Sequence, residues 1–199
     1  MKRAGIVFVV SAPSGAGKTT VIREFLKKHK RDFVLSVSAT TRPPRNGEKD
    51  GRDYYFFSED KFKKFIEQGK FLEHARVVGN RYGTLKKTVI NSAENGKNVI
   101  MDVDVQGMKS IKKRLPESVA IFLKPPSFEE LKKRLEGRKT ESRESLAKRL
   151  KLAKKELKEE QKYDYIVVNK ELGKAVEDLE EILKIERQKR YQPKEAFER

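Results

Sequence analysis

The sequence contains no cysteine and no tryptophan, and only two of its 199 residues are histidine. Without cysteine the chain forms neither disulfide bonds nor thiolate metal sites, and a reducing compartment suits it. No apolar stretch approaches the roughly 20 residues that a membrane-spanning helix needs. The apolar run within residues 1–10 is only about five residues long, too short for a signal peptide. We therefore expect a cytoplasmic protein that does not bind membranes.

Positive charge is in excess: 47 lysines and arginines face 30 aspartates and glutamates, a formal net charge of +17. This excess suggests anionic partners such as nucleic acid or phosphorylated small molecules. The alternative is that most lysines lie on solvated helix faces. A nucleic-acid binder would interleave aromatic residues with a basic patch. Here the aromatics follow core periodicity or lie within residues 38–88, so we expect no nucleic-acid partner.

Apolar segments of strand character alternate with amphipathic helical segments along most of the chain. Core strands are predicted at residues 4–10, 33–37, 98–103, 119–123 and 165–168. Strands separated by helices form mostly parallel sheets, so the sequence predicts an α/β fold with helices on both faces of the sheet. In such sheets ligands bind at the carboxyl ends of the strands.

A phosphate-binding loop (P-loop) follows the first predicted strand. Gly15 and Gly17 let backbone N–H groups curl around phosphate, and the following helix adds its positive dipole end. Lys18 is expected to reach the outer phosphates, and the Thr19 hydroxyl to bind Mg²⁺. The strict pattern begins with glycine where this chain has Ala12, but the flanking strand and helix favour a P-loop over an ordinary turn. The predicted ATP-binding residues of this loop are Ala12, Pro13, Ser14, Gly15, Ala16, Gly17, Lys18, Thr19 and Thr20.

Two acidic residues, Asp102 and Asp104, stand at the end of the predicted strand 98–103. Alternation places both on one face, at the sheet edge that also holds the P-loop. One carboxylate could act on Mg²⁺, directly or through water, as the second-strand acid does in P-loop enzymes. The alternative, strongest for Asp104, is a capping acid for the helix that starts near Val105.

The sequence pattern changes at about residue 38, and residues 38–88 are predicted to form a small mixed α/β insert. Two arginines in its proline-rich loop suit a phosphate, because the guanidinium fork matches phosphate oxygens. Glu73 is an acid in these surroundings and could accept hydrogen bonds from the N1 and N2 edge of guanine. Surface ion pairs are the alternative. The candidate anion-binding and hydroxyl side chains of the insert are Ser38, Arg42, Arg45, Tyr54, Tyr82 and Thr84.

Residues 137–162 have a highly charged, almost entirely helical pattern with a thin apolar stripe. A charged, weakly apolar segment is typical of a lid, and a solvated helical face is the alternative. Mobile arginines can stabilise the charge that spreads over a migrating phosphoryl group. The candidate arginines for this role, which flank or lie within the segment, are Arg134, Arg138 and Arg149.

Taken in order, these motifs resemble the guanylate kinase family. The motifs are APSGAGK at 12–18, SATTRPPR at 38–45, GRDYYF at 51–56, NRYGT at 80–84, DVDVQG at 102–107, PPS at 125–127 and RLEGR at 134–138. The resemblance covers about residues 4–187 and is far more specific than the P-loop alone. It implies reversible transfer of the γ-phosphate of MgATP to GMP, with ATP and GMP as partners and Mg²⁺ as the cofactor.

The resemblance also implies a role for each site residue. It assigns the GMP phosphate to Arg42, Arg45, Tyr54 and Tyr82, and the guanine base to Ser38, Glu73 and Thr84, with Gly83 and Asp104 nearby. It assigns Asn169 to the adenine pocket region. The implied catalytic residues are Lys18, Arg42, Asp102, Arg134, Arg138 and Arg149.

The implied organisation has a core, an NMP-binding insert, a helical lid and a C-terminal tail. We expect the insert and lid to close over the core when both substrates bind, because water must be kept from ATP. The core is residues 4–37, 89–136 and 156–187, the insert 38–88, the lid 137–155 and the tail 188–199.

Two other functions stay open. Guanylate kinase-like modules of scaffold proteins bind peptides and have lost parts of the nucleotide sites, whereas Lys18, Arg42 and Asp102 are present here. A P-loop kinase that acts on another nucleoside monophosphate is the second alternative. Ser38 and Glu73 favour guanine, but the sequence alone does not measure how strongly guanine is preferred over other bases. The oligomeric state is left open.

Overall fold

A computed structural model describes residues 4–77, 79–137 and 143–191 of the chain. The strands are β1 (Val7–Ser11), β2 (Phe33–Leu35), β3 (Ser38–Thr40), β4 (Tyr55–Phe56), β5 (Phe71–Val77), β6 (Asn80–Leu85), β7 (Asn98–Asp102), β8 (Val119–Lys124) and β9 (Tyr165–Val168). The helices are α1 (Lys18–Lys28), α2 (Glu59–Glu67), α3 (Lys86–Glu94), α4 (Val105–Arg114), α5 (Phe128–Glu136), α6 (Arg143–Leu157) and α7 (Leu172–Tyr191). None of these helices is long and apolar enough to cross a membrane.

The core is a five-stranded parallel sheet in the order β2-β7-β1-β8-β9. Successive side chains of a strand point to opposite faces, and β1 shows this directly. Phe8 and Val10 pack into one buried cluster, and Val9 packs into another. Residues of α1, α5, α6 and α7 complete the first cluster, and those of α3 and α4 the second. The predicted parallel sheet with helices on both faces is confirmed.

A second, four-stranded sheet lies within the predicted insert, in the order β4-β3-β6-β5. It is mixed, because β3 pairs in parallel with β4 and antiparallel with β6. Its buried cluster is separate from the core and contains Phe62 and Phe71, whose stacked rings have centroids 4.5 Å apart. The Arg114 guanidinium of α4 joins the two units by donating to the carbonyls of Phe71 and Leu72 over 2.5 and 2.7 Å.

The elements differ from the sequence prediction in three places. β3 forms at the start of the insert, where no strand was predicted, because Ala39 is buried between β4 and β6. Helix α3 was not predicted, since Val89 is its one buried residue among those described and no apolar stripe marks it. The helical pattern predicted over 137–162 ends at Leu157, and a 3₁₀ turn at Glu160–Lys162 then leads into β9.

Candidate active site

The P-loop joins β1 to α1 at the carboxyl edge of the parallel sheet. Gly15 and Gly17 have φ angles of +91° and +88°, in the left-handed region that favours glycine. Gly17 is also the N-cap of α1 and brings no side-chain oxygen to the first turn. The N–H groups of that turn therefore suit an anion, whose charge the helix dipole also favours.

Lys18, Thr19 and Asp102 come together beside this loop. The Lys18 Nζ atom lies 2.7 Å from Asp102 Oδ1 and also donates to the Val103 carbonyl. Thr19 Oγ1 lies 3.5 Å from Asp102 Oδ2. The parallel register of β1 and β7 pairs Val10 with Asp102, and this places Asp102 next to the start of the P-loop. The residues predicted to serve the outer phosphates and the metal are thus neighbours.

Asn169 contacts the P-loop, and Arg134 contacts Asn169. Asn169 Nδ2 donates to the Ala16 carbonyl over 2.7 Å, and a Cβ atom on Gly17 would lie 2.5 Å from that nitrogen. Arg134 donates from its Nη2 to the Asn169 carbonyl over 3.2 Å. Asn169 therefore supports the loop structurally, and its role toward adenine stays a prediction. Arg138 lies outside the described residues.

The insert contributes a buried acid, Glu73, whose side chain is 7% exposed. Thr84 is its register partner on β6 and donates to Glu73 Oε1 over 2.8 Å. Burial raises the pKa of Glu73 to about 7, the Thr84 bond opposes the shift, and the charge of Asp104 adds to it. Ser38 pairs with Thr84 across β3 and β6, so the three predicted guanine-reading residues lie together. A Cβ atom on Gly83 would lie 2.9 Å from the Phe71 ring, which explains the glycine there.

Asp104 connects this acid to the core. Its Oδ1 accepts the Gly107 N–H over 2.7 Å at the start of α4, so the capping alternative is confirmed, and a contact with GMP stays a prediction. A Cβ atom on Gly107 would lie 3.2 Å from Glu73 Oε2. Glu73 is therefore packed against the first turn of α4, where the absence of a side chain on Gly107 makes room for its carboxylate.

Arg42, Tyr54 and Tyr82 form a second group in the insert. The Arg42 guanidinium lies 5.4 Å from the centre of the Tyr54 ring, and the two tyrosine rings are 6.0 Å apart. Arg42 also forms an ion pair of 2.9 Å with Glu48, and this hydrogen bond is the main reason why the pKa of Arg42 is raised. Glu48 in turn accepts the backbone N–H of Arg45 over 2.7 Å, and the Arg45 side chain is exposed.

Comparison with known proteins identifies the family. A family model described as guanylate kinase matches residues 5–186. The guanylate kinase of Caldanaerobacter subterraneus subsp. tengcongensis is 46% identical over 183 residues, which cover 92% of this chain and 88% of that protein. The chain belongs to the guanylate kinase family.

Further matches agree with this assignment. The guanylate kinase of Syntrophotalea carbinolica is 47% identical over 183 residues, covering 92% of this chain and 87% of that protein. The crystal structure of guanylate kinase from Anaplasma phagocytophilum superposes with a TM-score of 0.76 at 33% identity, covering 94% of this chain and 88% of that one. The predicted family, fold class and enzyme class are confirmed, and with them the phosphorylation of GMP by ATP.

Sequence reasoning missed three residues of this guanylate kinase that shape its site. Glu48 pairs with Arg42. The sequence signal that could have indicated this residue is an acid three residues after Arg45, one turn further along the chain. Gly107 lies within a quoted motif, but its packing against Glu73 depends on contacts distant in sequence. Glu156 of α6 has a buried Oε2 atom without a hydrogen-bond partner among the described residues, and the surrounding lysines hide it within a charged run.

Proposed function

We propose that this guanylate kinase binds ATP on the P-loop and GMP on the second sheet, and transfers the γ-phosphoryl group between them. One observation carries the arrangement: Glu73 of the insert packs against the first turn of α4, and the residue that caps this turn is in contact with the end of β1. A Cβ atom on Gly107 would lie 3.2 Å from Glu73 Oε2, Asp104 caps the same turn, and the Ser11 hydroxyl donates to the Asp104 carbonyl over 3.2 Å. The two candidate subsites are therefore neighbours.

On the ATP side, the loop N–H groups and Lys18 hold the phosphates. The Asp102 carboxylate and the Val103 carbonyl hold the Lys18 ammonium group at the end of β7. Thr19 and Asp102 offer a hydroxyl and a carboxylate, the hard oxygen ligands that Mg²⁺ prefers. They fit this metal, which when bound with ATP neutralises charge on the phosphates.

On the GMP side, the insert separates phosphate recognition from base recognition. Arg42, Tyr54, Tyr82 and the exposed Arg45 hold the phosphate, because a guanidinium has about five donors and Glu48 and Pro43 occupy only part of them. Ser38, Glu73 and Thr84 read the base. An ionised Glu73 accepts from the adjacent N1 and N2 donors of guanine, a pattern that adenine lacks.

Catalysis then requires alignment and charge stabilisation rather than a protein nucleophile. An oxygen of the GMP phosphate attacks the γ-phosphorus, and the bond from that phosphorus to ADP breaks. Arg134 of α5 and Arg149 of α6 stabilise the transferring group, together with Arg138 of the lid. We propose that the insert (38–88) and the lid (137–155) close over the core, since the insert has a hydrophobic cluster of its own.

A coupled assay of ADP release tests this assignment, with ATP against GMP, AMP, UMP and CMP as acceptors. We expect GMP to be the preferred acceptor. Turnover with AMP above that with GMP would reject the base-reading role of the insert. Absence of turnover with every acceptor would reject the arrangement altogether. Interdomain distances from paired fluorophores should shorten only when both nucleotides are bound.

A further inference from the structure

The pairing of β5 with β6 shifts by one residue at the start of β5. The paired residues are Phe71 with Leu85 and then Glu73 with Thr84. Leu72 lies between these pairs as an additional residue, which makes this position a β-bulge. A bulge leaves the additional residue out of the ladder of strand hydrogen bonds and changes the face to which the following side chain points. The bulge therefore decides on which face of the insert sheet Glu73 lies.

Without the bulge, Glu73 would share a face with Phe71, because side chains two residues apart in a regular strand point the same way. Phe71 is buried in the hydrophobic cluster of the insert, a poor place for a carboxylate. With the bulge, Glu73 shares the face of Thr84, which donates to its carboxylate over 2.8 Å. The position of the proposed base-reading acid thus depends on the backbone at Leu72.

Helix α4 of the core holds this bulge at three points. Near the end of the helix, Arg114 donates from its Nη1 to the carbonyls of Phe71 and Leu72 over 2.5 and 2.7 Å. The Leu72 side chain is buried in the core cluster to which α4 contributes. Near the start of the helix, a Cβ atom on Gly107 would lie 3.2 Å from Glu73 Oε2. The start of β5 is therefore attached to the core, although it belongs to the insert sheet.

Arg114 differs from the other two contacts because it acts on the backbone. The carbonyls that it binds belong to the two peptide groups that precede Glu73. Peptide groups are planar, so holding these carbonyls also restricts the direction in which the Glu73 side chain leaves the strand. Much of Arg114 itself is exposed, so replacing it opens no cavity in the core.

We propose that Arg114 is a positioning residue for guanine recognition, which holds the carbonyls of the bulge and so keeps Glu73 directed at the base. This role rests on the proposed base-reading function of Glu73. Arg114 lies at the end of α4 opposite to the Asp104 cap, and it need not touch either substrate. Its effect reaches the base through the backbone of β5.

Two variants of Arg114 test this role. Arg114→Met keeps an unbranched apolar stem and removes the donors, whereas Arg114→Lys keeps the charge and one donor group. We expect the KM for GMP to rise about five- to tenfold in the Met variant and about twofold in the Lys variant. The KM for ATP, and kcat at saturating GMP, should stay within about twofold of the wild-type values. Lys113→Met is the matched control, because Lys113 is exposed on the same helix and the change in charge is equal.

A comparison of GMP with IMP separates positioning of Glu73 from a general loosening of the insert. The base of IMP keeps the N1 donor of guanine but lacks the N2 amino group, so it offers Glu73 one donor fewer. We expect Arg114→Met to reduce the preference for GMP over IMP at least about threefold. In the Glu73→Gln background Arg114→Met should have no further effect on this preference, because both residues act through one contact.

The measurements are the kinetic constants for GMP, IMP and ATP and the unfolding temperature of each variant. A wild-type KM for GMP in Arg114→Met would overturn the proposal, and so would additive effects in the double variant. An equal rise in the KM for GMP and IMP with a lower unfolding temperature would reject it in favour of a structural role only. If Glu73→Gln itself left the use of GMP unchanged, the proposed base-reading function would be rejected instead.

Discussion

Thr84 donates a 2.8 Å hydrogen bond to Glu73 between residues that face each other across β5 and β6. The bond occupies Oε1, while Oε2 lies against the first turn of α4. One carboxylate oxygen is thereby oriented from the insert and the other from the core. This arrangement gives Glu73, the acid proposed to read guanine, a defined direction, and it allows the contribution of Glu73 to be tested separately from ATP binding.

Replacing Glu73 with glutamine should impair the use of GMP. The amide offers only one acceptor oxygen, and its NH₂ group would confront a guanine donor, leaving both unpaired. We expect kcat/KM for GMP to fall roughly 10- to 100-fold and the KM for ATP to change less than about twofold. Thr84→Ser is the matched control, because it keeps the hydroxyl that orients Glu73. An equal loss of ATP binding would show that Glu73 does not read the base.

The same acid predicts a dependence of GMP binding on pH. Its pKa is raised to about 7, so the carboxyl group of the free enzyme is mostly protonated at pH 6 and mostly ionised at pH 8. Guanine needs the ionised form, so affinity should fall as the pH drops through 7, approaching tenfold per unit below it. Titration calorimetry with GMP, and with guanosine to remove phosphate ionisation, measures this slope. A slope that persists in Glu73→Gln would assign it to another group.

Changing Asp102 to asparagine should alter the response to Mg²⁺. The substitution removes the carboxylate that lies 2.7 Å from Lys18 and 3.5 Å from Thr19. We expect kcat to fall roughly 10²- to 10³-fold and half-maximal activity to require more Mg²⁺. Asp60→Asn is the control, because Asp60 is exposed on α2 and its replacement changes the net charge by the same amount. If the dependence of activity on Mg²⁺ concentration were unchanged, Asp102 would act only as the ion-pair partner of Lys18 and not on the metal.

Two glycine substitutions should have opposite effects on stability. In Gly17→Ala the new Cβ meets Asn169 Nδ2 at 2.5 Å, and the residue must keep a φ of +88°. We expect a loss of at least about 1 kcal/mol in the free energy of unfolding, together with weaker ATP binding. In Gly173→Ala, at the start of α7, the new Cβ meets nothing within 4 Å. That variant should gain up to about 1 kcal/mol. Denaturant unfolding measures both.

The sequence by itself determined the features that depend on neighbouring residues. Apolar segments between helical ones predicted the parallel sheet, and the P-loop pattern predicted the tight loop in which Gly15 and Gly17 adopt positive φ angles. Ser127 begins α5 by accepting the Glu130 N–H over 3.1 Å, a contact between residues three apart in the sequence. Such features follow from local sterics and hydrogen bonding, which a short stretch of chain contains in full.

Only the tertiary structure decided which distant groups share one environment. Asp104 had two interpretations in the sequence, and the Gly107 N–H decided for the cap. The shifted pKa of Glu73 required burial between the insert and α4. The hydrogen bond from Asn169 to the Ala16 carbonyl required the residue after β9 to lie beside the P-loop. Desolvation and contacts between remote segments depend on the packing of the whole chain, and no local pattern of residues records them.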